Sequence, residues 1–302
     1  MESREKGFLL VLCTAMISGF SIFINSFAAA QFDPFVFTAL KNSVVAIFIF
    51  SFLYISSKAR GFLRIGRSDL AKLAIWGAFD GGVGFLLFFY GLKLTTPADA
   101  SLLQKSIFIF ASALAAVFLK ERMSWRQMAA AVILFIGAVL LSGITYSGIG
   151  AGGTMVMASV LVWSAGNVAA KKILGRIAPL DVVFGRMFFG SLLMLSFLAF
   201  TNNLPNFSSF TQNHYEWILV TSILLLGYQV TYFNGLALLK VSEATSMLVL
   251  GSVVTSLLSI FNAKLPTPAE LLGMLAVVCG LALLYLYPKE AADVRNKAVQ
   301  GY

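Results

Sequence analysis

Residues 97–121 read P-A-D-A-S-L-L-Q-K-S-I-F-I-F-A-S-A-L-A-A-V-F-L-K-E. About 20 mostly apolar residues, wound as a helix, cross the hydrocarbon of a bilayer. The stretch from Pro97 to Glu121 therefore predicts a transmembrane helix, with Gln104 and Lys105 about two turns inside it. A lysine at that depth is costly and normally faces a protein interior or a watery cavity, so Lys105 marks a candidate site. The stretch also has an echo. Asp99-Ala100-Ser101 returns as Glu243-Ala244-Thr245, and an apolar run follows it to Phe261.

The rest of the chain has the same character. Of 302 residues, 59% are hydrophobic and only 12% are charged, against about 25% charged in a soluble domain. Much of the usual water-facing complement is missing, which predicts an all-α, multi-pass protein of the lipid bilayer. The net charge of +9 raises the question of a nucleic-acid partner. The basic residues, however, sit in short connections between apolar runs, where they set topology, and no nucleic acid is expected. Cys13 and Cys279 lie within apolar runs and read as small core residues, without disulfide or metal spacing. The first apolar run is followed by further spans rather than a processing site, so no cleavable signal is expected.

Ten spans fit the sequence, at roughly 7–30, 34–57, 70–93, 97–119, 124–144, 152–172, 179–201, 215–238, 243–263 and 268–287. Gln31-Phe32-Asp33-Pro34 is a tight break enforced by Pro34. The glycine-rich segment 147–153 is the flexible midpoint, and 201–213 is the longest polar loop. One set of connections carries Arg4 and Lys6; Lys58, Arg60, Arg64, Arg67 and Lys72; Lys120, Arg122 and Arg126; Lys171, Lys172 and Arg176; Lys240; and Lys289, Arg295 and Lys297. The alternate set carries Lys93 and Lys264. The positive-inside rule then puts both termini in the cytoplasm, which requires an even number of spans.

The echo extends into a repeat. Pro34 and Lys41 match Pro179 and Arg186 at a spacing of 145 residues. Phe88-Phe89-Tyr90-Gly91-Leu92 matches Tyr232-Phe233-Asn234-Gly235-Leu236 at 144, and Gly137 matches Gly280 at 143. Each half holds five spans, an odd number, so the second half enters from the opposite side. The expected units are residues 1–146, a first five-helix repeat; 147–288, a second and inverted one; and 289–302, a cytoplasmic tail. Inverted-topology repeats are the architecture by which a transporter exchanges inward- and outward-open shapes around a midplane site.

Two five-helix inverted repeats resemble the drug/metabolite transporter superfamily, and within it the EamA-type exporters. The matching residues are Leu119-Lys120-Glu121-Arg122 ending the fourth helix, Gly137, Trp163 in the sixth helix and Arg186 in the seventh. The likeness covers roughly residues 7–287 and departs at Lys264-Leu265-Pro266, where the second half would repeat the acidic-basic helix end. It implies a secondary transporter of the inner or plasma membrane that moves a small metabolite, and it leaves the substrate open among amino acids, nucleobase-like metabolites, sugars and drugs.

Candidate site residues are the charged groups within spans and the polar groups near them. Asp80, among Gly77, Gly81 and Gly84, reads as a proton-coupling carboxylate, as the partner of a substrate ammonium, or as half of a buried pair with Lys105 or Lys41. Lys105 shares a helical stripe with Ser101, Phe108 and Ser112, and the counterpart stripe is Thr245, Val249, Ser252 and Ser256. Two such stripes read as cavity walls. Because Lys105 has Val249 as its counterpart, a symmetric packing role does not explain the cation; with Gln104 beside it, Lys105 is assigned to a substrate carboxylate. Lys41 and Arg186 hold equivalent positions and read as gate residues, with snorkelling to headgroups as the alternative. Trp163, Asn167 and Tyr228 are the aromatic and polar positions expected to line the cavity, ahead of Tyr90, Gln229, Tyr232 and Asn234.

The sequence carries no catalytic or metal-binding constellation and no G-x-x-x-x-G-K-[ST] loop, so neither an enzyme nor direct use of ATP is expected, and no cofactor. The leading expectation is export or exchange of an amino acid or related zwitterion by alternating access, with a coupling proton among the candidate partners. An organic-cation or drug exporter, and a receptor or scaffold that kept the fold without transporting, are the alternatives. The chain is expected to act as a monomer or homodimer.

Overall fold

A computed structural model describes residues 3–28, 31–56, 62, 65–95, 100, 103–121, 123–141, 150–262 and 265–286. The described residues form helices α1 (Ser3–Ala28), α2 (Pro34–Ile55), α3 (Arg67–Lys93), α4 (Leu103–Phe118), α5 (Trp125–Leu141), α6 (Ala151–Leu174), α7 (Pro179–Phe200), α8 (Gln212–Leu238), α9 (Val241–Phe261) and α10 (Pro268–Leu286). Eight of them are long and apolar enough to cross a membrane, and α4 and α5 are shorter apolar helices. Residues 147–149 of the expected midpoint linker lie outside the described residues, as do Asp99, Ser101, Lys264 and the tail, while Gly150 precedes α6 and 151–153 form its first turn.

Local chemistry explains where the helices begin. Asp33 caps α2 by accepting from the amides of Phe35 (2.9 Å) and Val36 (3.3 Å), with Pro34 at the first helical position. Ser124 and Gln127 form a reciprocal capping box at α5: Ser124 N donates to Gln127 Oε1 (3.0 Å), and Gln127 N to Ser124 Oγ (3.3 Å). Thr267 and Glu270 do the same at α10, at 2.7 and 3.2 Å. His214 is absorbed in the same way, since Thr211 N donates to its Nδ1 (3.1 Å) at the start of α8.

Packing between the first five helices and the last five comes in matched pairs. α1 packs on α8 as α6 packs on α3; α1 packs on α9 as α6 packs on α4; α2 packs on α8 as α7 packs on α3. α2, α4 and α5 pack on their own counterparts α7, α9 and α10. The close approaches follow the same rule. A Cβ on Gly91 would lie 2.7 Å from the Gly152 carbonyl, and one on Gly235 would lie 3.1 Å from that of Gly7. Small residues let these backbones touch where lipid provides no drive to press larger ones together.

Among the described residues, three helices break regularity within their length, and α9 also ends in a 3-10 turn at Ser259–Asn262. α3 contains a π turn at Phe79–Val83, one residue more than an α-turn can accommodate. α4 tightens at Ser106, whose amide bonds Leu103 O at 3.1 Å. α9 tightens at the equivalent place, where Val249 N bonds Ser246 O (3.2 Å) and Gly251 N bonds Leu248 O (3.1 Å). The uninterrupted fourth and ninth helices expected from hydropathy are therefore corrected to broken ones. Cys13 and Cys279 are also corrected: both are exposed on the outer face of the bundle rather than in its core. In a chain whose outer face meets lipid, an apolar run does not separate inside from outside.

Candidate functional site

The π turn determines the chemistry at the centre. An inserted residue shifts the helical ladder and leaves carbonyls that need other donors. Trp163 Nε1 from α6 donates to Asp80 O at 3.0 Å, and Asn42 Nδ2 from α2 donates to Gly81 O at 3.3 Å. So anchored, Asp80 turns its carboxylate toward α7, where Arg186 Nε donates to Oδ2. Both residues are buried, at 5% and 8% exposure. The Arg186 guanidinium also lies over the rings of Phe85 (5.6 Å) and Phe233 (5.9 Å). The pairing of Asp80 with Lys41 or Lys105 considered from the sequence is thus corrected to a pairing with Arg186.

Gly166 of α6 is the floor beneath this carboxylate, because a Cβ there would run into Asp80 Oδ1. We expect Gly166→Ala to lower stability by about 1–3 kcal/mol through overpacking, read as a fall in thermal midpoint of the purified protein. A midpoint equal to the parent's would mean that the Asp80 side chain is free to step aside.

Around the pair lies a cavity of about 360 Å³ between the two halves, within the range of small-molecule sites. Lys41, Asp80, Gln104, Lys105, Trp163, Asn167, Arg186 and Tyr228 all line it. Lys41 Nζ donates to Asn25 Oδ1 (2.9 Å) and sits 4.8 Å from the Phe37 ring centre, so it faces the cavity rather than a headgroup. Lys105, Gln104 and the Tyr228 hydroxyl have no hydrogen-bond partner among the described residues. Asn167 accepts from Tyr232 OH at 2.5 Å and donates to Trp163 O at 2.8 Å, and Tyr228 stacks on Tyr232 at 5.8 Å. Tyr232 and the buried Gln229, whose Oε1 has no partner, are lining residues that the sequence ranked too low. Tyr90 and Asn234 lie elsewhere.

Ser252 is corrected: it lies beyond the break in α9, off the cavity, with an unpartnered Oγ. Ser112 and Ser256 also leave the lining, while Thr245 and Val249 stay. The tightened turns at Ser106 and Val249 wind at about 3.0 rather than 3.6 residues per turn. Residues past them rotate away from the stripe that a regular helix would present.

The lining residues of α1, α2 and α3 fall in the half of each helix nearest the α1–α2 connection. The opposite end is tied by polar groups. Glu121, just after α4, accepts from the amides of Val241 (3.1 Å) and Ser242 (3.4 Å) at the start of α9. Lys171, which the sequence placed among loop charges, reaches from the last turn of α6 to cap α8 at Leu236 O (2.7 Å), Ala237 O (3.0 Å) and Leu239 O (2.6 Å). Glu243 accepts from Gln127 (3.3 Å) and Arg4 (3.4 Å). Among the described residues no cluster of His, Cys, Asp and Glu could hold a metal.

The sequence profile of the EamA-like transporter family matches residues 5–143 and again residues 150–286. The chain is 26% identical over 287 residues to an uncharacterized transporter of Archaeoglobus fulgidus, covering 93% of this chain and 98% of that one. It is 27% identical to a probable terminal-alkyne amino-acid exporter of Streptantibioticus cattleyicolor, over 77% and 78% of the two chains. A probable amino-acid metabolite efflux pump of Salmonella typhimurium is 25% identical, over 76% and 75%. A solved crystal structure superposes with a TM-score of 0.78 at 20% identity, covering 95% of this chain and 99% of that one, which shows a shared fold.

Proposed function

The chain belongs to the EamA-like transporter family and is an integral, multi-pass membrane transporter rather than an enzyme, and on that premise we propose that it moves an amino acid or related metabolite by alternating access, in export or exchange. The observation that carries this reading is a cavity lined from both halves, with aromatic rings in its wall and a cation, Lys105, that has no partner among the described residues. Relatives named as an amino-acid exporter and an amino-acid metabolite efflux pump support the substrate class.

The proposed architecture is ten spans in two inverted five-helix repeats, 1–146 and 147–288, with a tail at 289–302. The matched helix pairs, the twin capping boxes and the double family match support it. In the proposed topology both termini are cytoplasmic, so the end closed by Glu121, Lys171 and Glu243 faces the cytoplasm and the cavity faces outward. Lys105 and Gln104 are assigned to the substrate carboxylate, and Trp163, Asn167 and Tyr228 to its body. Lys41 and Arg186 move with the gates, and any coupling through a proton on Asp80 requires Arg186 to let go. An organic-cation exporter would need a free cavity carboxylate, whereas the carboxylate of Asp80 is engaged by Arg186.

The test is counterflow. Proteoliposomes preloaded with excess unlabelled amino acid are expected to accumulate labelled amino acid above the bath concentration. Binding without any accumulation across amino acids and their derivatives would instead identify a receptor.

The latch supports a second expectation. Glu121→Ala removes two charge-assisted caps, worth about 1–3 kcal/mol to the closed cytoplasmic end. A cysteine reporter at the cavity floor, Thr245→Cys, should then react roughly tenfold faster from the cytoplasmic side. An unchanged rate would mean that Glu121 only stabilises the fold.

A further inference from the structure

We propose that the transported molecule carries net negative charge: an organic carboxylate of amino-acid size, with an apolar body, whose amine is absent, acylated or outnumbered by carboxyl groups. This rests on the transporter reading and narrows its substrate.

Charge does not balance among the described residues of the cavity wall. Among the described lining residues stand three cations, Lys41, Lys105 and Arg186, and one carboxylate, Asp80. Arg186 takes that carboxylate. Lys41 is held by the neutral carbonyl of Asn25, which satisfies a donor without cancelling a charge. Lys105 has no partner among the described residues. Two positive charges are therefore uncompensated at membrane depth, where a charge is tolerated only in water or beside an opposite charge. While the cavity is open, water can solvate them. When it closes around its cargo that water is lost, and the cargo must bring the counter-charge.

The site is equally informative about what it lacks for an ammonium. An ammonium binds a free carboxylate or the face of an aromatic ring. The carboxylate is in use, and protein cations already lie over Phe37, Phe85 and Phe233. A zwitterion would meet its carboxylate's partner but, among the described lining residues, no free carboxylate for its amine, only ring faces and neutral amides such as Trp163, Tyr228 and Gln229, which cancel no charge. The remaining lining, with Trp163, Tyr228, Tyr232 and Phe89, suits an apolar or aromatic body.

A series on one body isolates charge: N-acetyl-phenylalanine (anion), phenylalanine (zwitterion) and phenylalanine amide (cation). Glutamate and glutamine give the same contrast on a polar body. Each is titrated against the thermal midpoint of the purified full chain, since a ligand of the folded state raises it. The anion of at least one series should bind about tenfold or more tightly than its neutral or cationic relatives. Lys105→Gln should abolish that preference, Lys41→Gln should weaken it, and Lys105→Arg should retain it. A zwitterion or cation that binds as well as the anion, a preference unchanged in Lys105→Gln, or no binding in either series overturns the inference. The same probes in counterflow separate the two readings. Zwitterions exchanged in preference to anions sink the charge inference and leave the transporter standing. Anions that bind without any exchange sink the transporter reading and leave the charge preference intact.

Discussion

Asp80→Ala should destabilise the protein by about 3–5 kcal/mol, because it leaves the Arg186 guanidinium buried without its counter-charge. Arg186→Met should cost a similar amount for the converse reason. The double variant Asp80→Ala/Arg186→Met should recover most of the loss, since it removes both charges and leaves apolar groups in their place. The magnitude follows from position: both groups are nearly fully buried and sit where α3, α6 and α7 meet. Thermal midpoints of the four proteins measure the cycle. Single losses that simply add in the double variant would show that the pair is not an energetic unit, and that Asp80 is free for another partner.

Lys105→Gln should have the opposite signature. Truncating one partner of a buried charge pair costs about 2–5 kcal/mol of binding, so affinity for the cargo should fall about 30-fold or more, with substrate-dependent flux falling with it. Stability should not fall. The ammonium touches no partner among the described residues, and removing an uncompensated charge from the cavity wall leaves the thermal midpoint level or raised. Lys105→Arg should restore flux in part, since it keeps the charge but changes its reach. A Lys105→Gln protein that loses midpoint and keeps flux would make Lys105 a packing residue.

Much of this was written in the sequence, for identifiable reasons. Cations within apolar runs have few physical explanations, and the cavity contains all three: Lys41, Lys105 and Arg186. Pro34 and Asp33 mark the start of α2 because a cap and a proline act within one turn. The repeat was legible because its spacing hardly drifts, and the paired capping boxes at Ser124 and Thr267 are further instances at 143 residues.

What escaped is what tertiary contact decides. Asp80 and Arg186 were both singled out, yet their pairing was missed, since 106 residues separate them and spacing says nothing across such a gap. The π turn at Phe79–Val83 is stabilised by donors from α2 and α6, so hydropathy cannot show it; only the doubled glycine at Gly81 and Gly82 hints at it. A regular helix through Val249 would carry Ser252 onto the lining stripe, and the tightened turn carries it off. Lys171 looks like a loop charge because helix ends and loops are alike in composition, although a lysine that follows Ala169 and Ala170 within an apolar helix is signal enough to ask what it caps.

Alternating access requires that Thr245 be reachable from each side of the membrane in turn. This residue is 1% exposed, lines the cavity, and belongs to the helix whose start is gripped by Glu121. With Cys13 and Cys279 replaced by alanine, Thr245→Cys would be treated with a membrane-impermeant maleimide in right-side-out and inside-out vesicles. Labelling is expected from both sides, with an outward bias that cargo and Glu121→Ala each shift. Labelling confined to one side under every condition would contradict alternating access, leaving a pocket that binds but does not carry.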